Sequence, residues 1–482
     1  MNIILIIADT LRYDFVGANG NDWIITPNMD RLAAKSWVFD RAYTASFPTI
    51  PHRKDVITGR YGSPFNVWGP LPFDVPTLPR ALAEHGYCTQ LIHDTPHLVN
   101  GGHNFDWPFH GWEFVRGAEV DRRWMDDGGY MLDGWTKDPQ LDFVDAERMM
   151  NRPINAYIRT NRKRKVYEDW NAAQVFLRGS DFLKSNQTRD KFFLWVDSFD
   201  PHEPWDTPPE FVKMYDKTPG YDGRIDPRIY AMEGFIPEVL SERLKNLYAA
   251  KVTWMDHWLG KFLDTFESTG LAKNTALIFT SDHGTQVGEM GSFGKNWPVR
   301  EAEGHVPFFV YAPGAGSGRC DAMIQPQDVF ATVMSLAGLE TPQELDSHDL
   351  LAIAKGAVNP PRPIAISSTS MDGWQKDGPG PVFTLFDHEW CLEAAAKPEN
   401  CRLWRLGTLK EVAAENQDVV RRLHAAALNE MERRGTHPAL MKWMRSGMIE
   451  SEFPTDCSYC DGWPSPVGYE PYFNFNRQYR GK

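Results

Sequence analysis

The chain opens on an unbroken apolar run, Ile3-Ile4-Leu5-Ile6-Ile7-Ala8, rich in β-branched residues and ending at Asp9. A run of that length without polar alternation predicts a strand buried on both faces. Similar runs recur at Phe192–Val196, Ala276–Thr280 and Val306–Tyr311. Between them, apolar residues fall at helical spacing over Asn28–Lys35, Thr77–Glu84, Ser241–Glu267 and Pro326–Leu336. Strands alternating with helices predict an α/β fold, with a large, mostly parallel (mixed) central sheet flanked by helices. In such sheets reactive groups collect just past the carboxyl ends of the strands. Asp9 follows the first run, Asp197 and Asp200 the second, and Ser281-Asp282-His283 the third. The polar residues therefore stand where a site is expected.

Other stretches break this rhythm. Residues 97–165 are dense in Gly, Trp, Asp and Arg, with no strand pattern, and read as an insertion that is either a lid or irregular packing. From about Pro360 the composition shifts through Pro-rich turns to a helical stretch, Thr408–Arg434. At 482 residues the chain exceeds the size at which single cores stop growing. We therefore expect a catalytic domain over 1–355 and a smaller C-terminal subdomain over 356–482. The subdomain ends in an aromatic arm, Tyr469–Tyr479, which needs a surface to tie it down. A neighbouring subunit would supply one, so a homo-oligomer is expected.

An apolar fraction of 42% with 24% charged residues is ordinary for a globular chain. Eighteen Trp and 28 Phe call for a deep core or aromatic-walled pockets. The net charge of −13 argues against a nucleic-acid partner, which would need a basic surface. It does not exclude a small anionic substrate, because a metal with Arg and Lys can reverse the field inside one cleft. The basic run Arg159–Lys165 reads as a solvated helix face. No signal-peptide pattern precedes Ile3, no stretch is apolar enough to span a bilayer, and the six Cys are scattered, with Cys457 and Cys460 a lone CxxC. Free thiols, a cytoplasmic location and no membrane partner are the expectation.

The segment Thr49-Ile50-Pro51-His52-Arg53-Lys54-Asp55-Val56-Ile57-Thr58-Gly59-Arg60 carries the first candidate chemistry. Pro51 suits the first turn of a helix and Gly59 its C′ position. Thr49 then lies at the helix N-terminus, where free amides and the dipole favour negative charge. A hydroxyl held there beside a metal is a candidate nucleophile, and Arg53, one turn on, a candidate fork for ester oxygens.

Several motifs accompany it in a fixed order. They are Asp9-Thr10-Leu11-Arg12-Tyr13-Asp14 with Gly17 and Gly20, Thr26-Pro27-Asn28-Met29-Asp30-Arg31-Leu32, Phe39–Tyr43, Thr58-Gly59-Arg60, Asp200-Pro201-His202-Glu203-Pro204-Trp205, Ser281-Asp282-His283-Gly284, and Phe293-Gly294-Lys295. Together they resemble the sulfatase-like branch of the alkaline phosphatase superfamily over about residues 1–340. The resemblance implies an alkaline-phosphatase-like fold and a metal-dependent ester hydrolase. It further implies that Asp9, Thr49, Asp282 and His283 hold a metal, that Lys295 and Arg53 bind ester oxygens, and that His202 either binds metal or donates to the leaving group.

Two departures bear on substrate and metal. The family's sulfatases carry Cys or Ser, oxidised to formylglycine, where this chain has Thr49, counted back from Thr58-Gly59-Arg60. Oxidised threonine is a ketone, so no formylglycine is expected, and Thr49 itself becomes the nucleophile, as in superfamily members acting on phosphodiesters or phosphonates. Glu303-Gly304-His305-Val306-Pro307 places His305 where an Arg usually stands. Asp200, His202 and His305 could then hold a second metal, or His305 could be structural. One or two divalent ions are expected, zinc or manganese before calcium, because imidazole joins carboxylate in the ligand set. The expected activity is hydrolysis of phosphodiesters or of phosphonate and phosphate monoesters. A sulfatase working without formylglycine and a phosphoryl transferase are the alternatives.

Overall fold

The apolar runs form the middle of one sheet. In the computed structural model β1 (Asn2–Ala8) lies between β6 (Phe192–Ser198) and β7 (Thr275–Ser281), parallel to both, with Ile7 opposite Asp197 and Ala8 opposite Ser281. The remaining strands of this sheet are β2 (Trp37–Ala42), β4 (Cys88–His93), β5 (Gly111–Phe114), β10 (Phe308–Tyr311) and β11 (Gly318–Ile324). The order across the eight strands is β11-β2-β10-β7-β1-β6-β4-β5, and β10 alone runs against the others. The structure describes residues 1–62, 68–100, 102–119, 160–217, 238–295, 299–369, 383–395 and 397–434, together with Asp121, Arg123, Tyr157, Met441 and Arg445. Much of the expected insertion, the aromatic arm and the Cys457/Cys460 pair lie outside these residues.

The continuous hydrophobicity of β1 has a direct cause. Ile4 and Ile6 face a layer built from the helices Asn171–Ser185 and Glu238–Ser268, while Ile3, Leu5 and Ile7 face one built from Thr49–Thr58, Leu78–Glu84 and Asp328–Leu336. Both faces of the strand are dry, so neither carries polar residues. No described helix is long and apolar enough to cross a membrane.

A second sheet of five strands, order β15-β14-β13-β12-β3, forms the smaller C-terminal region. It comprises β12 (Ala365–Thr369), β13 (Phe383–Phe386), β14 (Trp390–Ala394) and β15 (Arg402–Arg405), backed by the helix Gln417–Arg433. Its edge strand, β3 (Ser46–Phe47), comes from the N-terminal part of the chain and runs parallel to β12. This strand leads straight into the helix that begins at Thr49.

Candidate active site

Asp9, Asp197 and Asp282 come from the carboxyl ends of three adjacent strands, β1, β6 and β7. All three are fully buried. The chain turns sharply after Asp9. Thr10 has φ 68, a left-handed conformation that strains a β-branched residue by about 1–3 kcal/mol. Two bonds hold it there: Thr10 N donates to Asp282 Oδ1 at 2.9 Å and Thr10 Oγ1 to Asp9 Oδ1 at 2.7 Å. After Asp282 the backbone crosses tightly. A Cβ on Gly284 would lie 2.1 Å from the Ala302 carbonyl oxygen, so only glycine fits.

The helix Thr49–Thr58 is the third component, and its burial is unusual for its composition. His52, Arg53, Lys54 and Asp55 are all inside. Gly59 closes it with φ 66, as its place in the sequence predicted. Thr49 Oγ1 lies 3.5 Å from His283 Nε2. His283 Nδ1 donates to the Gly284 carbonyl at 2.8 Å, which leaves the Nε2 lone pair facing Thr49. Burial lowers the His283 pKa to about 4, so the ring is neutral at pH 7.

Arg53 is completely enclosed by carboxylates. Its Nε and Nη2 donate to Asp197 at 3.1 and 2.9 Å, Nη1 bonds Asp282, and Nη2 lies 3.0 Å from Asp9 Oδ2. Asp197 also accepts from Thr95 Oγ1 at 2.5 Å and from Trp195 Nε1 at 3.2 Å. Sequence reasoning placed Asp197 at a strand end and gave it no role. A charged residue closing an otherwise apolar strand was the available signal. Arg53 was expected to fork ester oxygens, but here its donors are committed to the three aspartates.

These carboxylates set the electrostatics. Burial, then the neighbouring Asp282, pushes the Asp9 carboxyl well above its ordinary value. Burial also penalises the Asp282 anion, but Arg53 and then His283 outweigh that and hold it well below the usual range. Asp9 Oδ2 is buried and faces Arg53 Nη2 at 3.0 Å without an aligned hydrogen bond. One oxygen each from Asp9 and Asp282 and one ring nitrogen of His283 lie within 4.8 Å of one another. Two carboxylates and one imidazole lone pair fit a divalent cation.

Opposite this group stand Lys295, just after β9 (Phe293–Gly294), and His202. Both are buried, and Lys295 Nζ donates to His202 Nε2. His202 Nδ1 donates to the Glu203 carbonyl at 2.6 Å, and Lys295 Nζ lies 3.4 Å from Glu203 Oε1. Burial and then Lys295 hold the His202 pKa well below its ordinary value, so its Nε2 is an acceptor.

The second metal set anticipated from sequence is not assembled. Among the described residues, Asp9, Asp282 and His283 are the only such group of His, Cys, Asp and Glu. Asp200 is bound to Lys251 at 2.9 Å, and His202 to Lys295. His305 is elsewhere. Its Nε2 bonds the Asp40 carbonyl at 2.9 Å, and its ring stacks between Tyr13 and Tyr43 at 3.8 and 4.7 Å. The basic run also needs correction at one residue, since the Arg164 side chain is buried against Asp206 and lies over Trp170.

The Sulfatase family model matches residues 1–339, spanning both aspartates, the buried helix and Lys295. The chain belongs to the sulfatase family. It is 28% identical over 392 residues to an arylsulfatase of Clostridium perfringens (strain 13 / Type A), covering 72% of this chain and 77% of the relative. Its fold is similar to that of the phosphonate monoester hydrolase of Agrobacterium radiobacter, with a TM-score of 0.66 at 18% identity over 90% of this chain and 96% of that one. The phosphonate monoester hydrolase SpPMH from Silicibacter pomeroyi gives 0.66 at 22% identity, over 90% and 95%. This sulfatase-family chain is thus an ester hydrolase of the superfamily, and Thr49 stands at the head of its buried helix.

Proposed function

We propose that this sulfatase-family member is a metal-dependent phosphoesterase that uses Thr49 as nucleophile on small phosphodiesters or on phosphonate and phosphate monoesters. The observation that carries the reading is a threonine hydroxyl, which cannot become an aldehyde, beside the Nε2 lone pair of His283. Asp9, Asp282 and His283 would hold the cation, with zinc or manganese favoured over calcium by the imidazole. Bound there, it would polarise the ester and favour the ionised form of a neighbouring hydroxyl.

The chain's own residues do the rest. Thr49 Oγ1 attacks phosphorus in line, and the bond from phosphorus to the leaving oxygen breaks as the new one forms. Lys295 faces the non-bridging oxygens, where fixed positive charge stabilises a phosphoryl transition state. Arg53 organises the three carboxylates. The proton that Thr49 gives up passes to solvent. His202, when protonated at Nε2, gives its proton to the leaving oxygen while Lys295 keeps its charge. The same nitrogen then accepts a proton from the water that hydrolyses the phospho-threonine.

Similarity to an arylsulfatase favours a second reading, in which the same groups act on sulfate monoesters. Aryl phosphodiesters, phosphonates, phosphate monoesters and sulfates assayed side by side separate the two. Diesters or phosphonates should lead. Faster turnover of sulfates would overturn the phosphoesterase reading.

A further inference from the structure

His202 sits on the loop Asp200–Asp206, which leaves the carboxyl end of β6 and carries Glu203 as well. Both ends of that loop are acidic, and both turn towards one lysine. Lys251, from the helix Glu238–Ser268, places Nζ 2.9 Å from Asp200 Oδ1 and 3.4 Å from Asp206 Oδ1. Its side chain is 4% exposed. Asp206 also accepts from Arg164 Nη1 at 2.5 Å and from the Tyr157 hydroxyl. Within the loop, Trp205 Nε1 donates to the Pro201 carbonyl at 3.1 Å. The Trp205 ring meets Phe293, two residues before Lys295, with centroids 5.4 Å apart. The loop is therefore closed at its base by Lys251 and leans on Phe293 of β9, the strand that leads to Lys295.

A buried ion network of this kind adds little net stability over well-packed apolar side chains, because four charged groups (Lys251, Asp200, Asp206 and Arg164) must be desolvated. What it supplies is a fixed arrangement. We infer that Lys251 is a positioning residue that staples the Asp200–Asp206 loop and thereby sets His202 against Lys295 for proton delivery to the leaving oxygen. This inference rests on the reading of His202 as the leaving-group donor.

The test compares wild type, Lys251→Met, Lys251→Arg, His202→Ala and the Lys251→Met/His202→Ala pair on aryl phosphate esters whose phenols span a range of acidity. Diethyl pyrocarbonate modification of His202, followed by peptide mass spectrometry, reports the position of the ring independently. Lys251→Met should slow esters of weakly acidic phenols by roughly 100-fold, as a misplacement near 1 Å can. Esters of strongly acidic phenols, which leave without a proton, should lose far less. Lys251→Arg should recover part of the loss, the double variant should be no slower than His202→Ala, and His202 should react faster with the reagent in Lys251→Met. Asp200→Asn, which keeps an acceptor oxygen and removes one charge, gives a milder form of the same pattern if Lys251→Met fails to fold. An equal loss on all esters with His202 reactivity unchanged overturns the positioning role. Faster modification of His202 in Lys251→Met, with His202→Ala equally slow on every ester, upholds the staple and overturns the leaving-group role instead.

Discussion

A threonine hydroxyl in a site family that elsewhere matures a cysteine or serine makes a single-atom distinction testable. Thr49→Ala should lower phosphoester turnover by several orders of magnitude, as removal of a nucleophile can. Thr49→Ser should keep part of the activity, since the hydroxyl stays and only the methyl that restrains its rotamer goes. Mass spectrometry of the tryptic peptide should find Thr49 unmodified. Phosphodiester hydrolysis by Thr49→Ala at the wild-type rate would assign attack to water instead. Asp197 invites a second substitution at the same scale. It holds Arg53 by two bonds, so Asp197→Asn replaces a paired charge with an amide that satisfies only one of them. Turnover should fall roughly 10- to 100-fold, following a small displacement of the groups that Arg53 organises. An unchanged rate would show that Asp9 and Asp282 suffice to hold the guanidinium. Asp9, Asp282 and His283 were legible in the sequence because each follows an apolar strand run in a known motif order. The sequence left His305 open between a metal ligand and a structural ring for a physical reason: a ring between two tyrosines is made by long-range packing, which local spacing does not encode.

At the scale of elements, the legible strands were those dry on both faces, whose hydrophobicity is continuous. Strands β2, β4 and β5, which mix polar and apolar residues, escaped the same reading, as did most of the second sheet. The helix Thr49–Thr58 was found from Pro51 and Gly59, but its interior position was not, because four of its residues are ionisable or imidazole. Asp55 explains part of that. Its carboxylate accepts from Ser46 N and Ser46 Oγ at 2.8 Å each and from Gly62 N at 2.8 Å, tying β3 and the turn after the helix to the helix itself. Burial raises its pKa from 3.8 to about 7, outweighing the hydrogen bonds from Ser46 and Gly62 and the charge of Arg434, which lower it. A raised acid pKa means that the folded state binds the proton more tightly. The stability this group contributes is full below its unfolded pKa and declines as pH rises towards 7. In Asp55→Asn nothing titrates here. The stability advantage of wild type over this variant, measured by urea unfolding, should therefore narrow between about pH 4 and 7. An advantage that grows over this interval would mean that the three donors hold Asp55 ionised throughout.

Taken whole, the molecule carries a net charge of −13, yet it gathers Arg53 and Lys295 into one buried region beside two carboxylates of opposed protonation tendency. Arg53 supplies a single positive charge against three buried carboxylates, Asp9, Asp197 and Asp282, so the group is left short of positive charge. A bound divalent ion supplies it, so metal and fold should be linked. Treatment with a chelator should abolish activity and lower the unfolding free energy by about 2.7 kcal/mol relative to protein at a free metal concentration 100-fold above the Kd. Elemental analysis should find one ion per chain, since Asp9, Asp282 and His283 are the only ligand group of this kind among the described residues. His305→Ala is the discriminating variant. It should keep that ion and most of the activity while losing roughly 1 kcal/mol of stability from the broken stack with Tyr13 and Tyr43. Two ions in wild type and one in His305→Ala would restore the dinuclear centre that the Arg-to-His change suggested. A metal content untouched by the substitution leaves His305 as the ring that joins the turn after β1 to Tyr43, which stacks in turn on Phe386 of the second sheet.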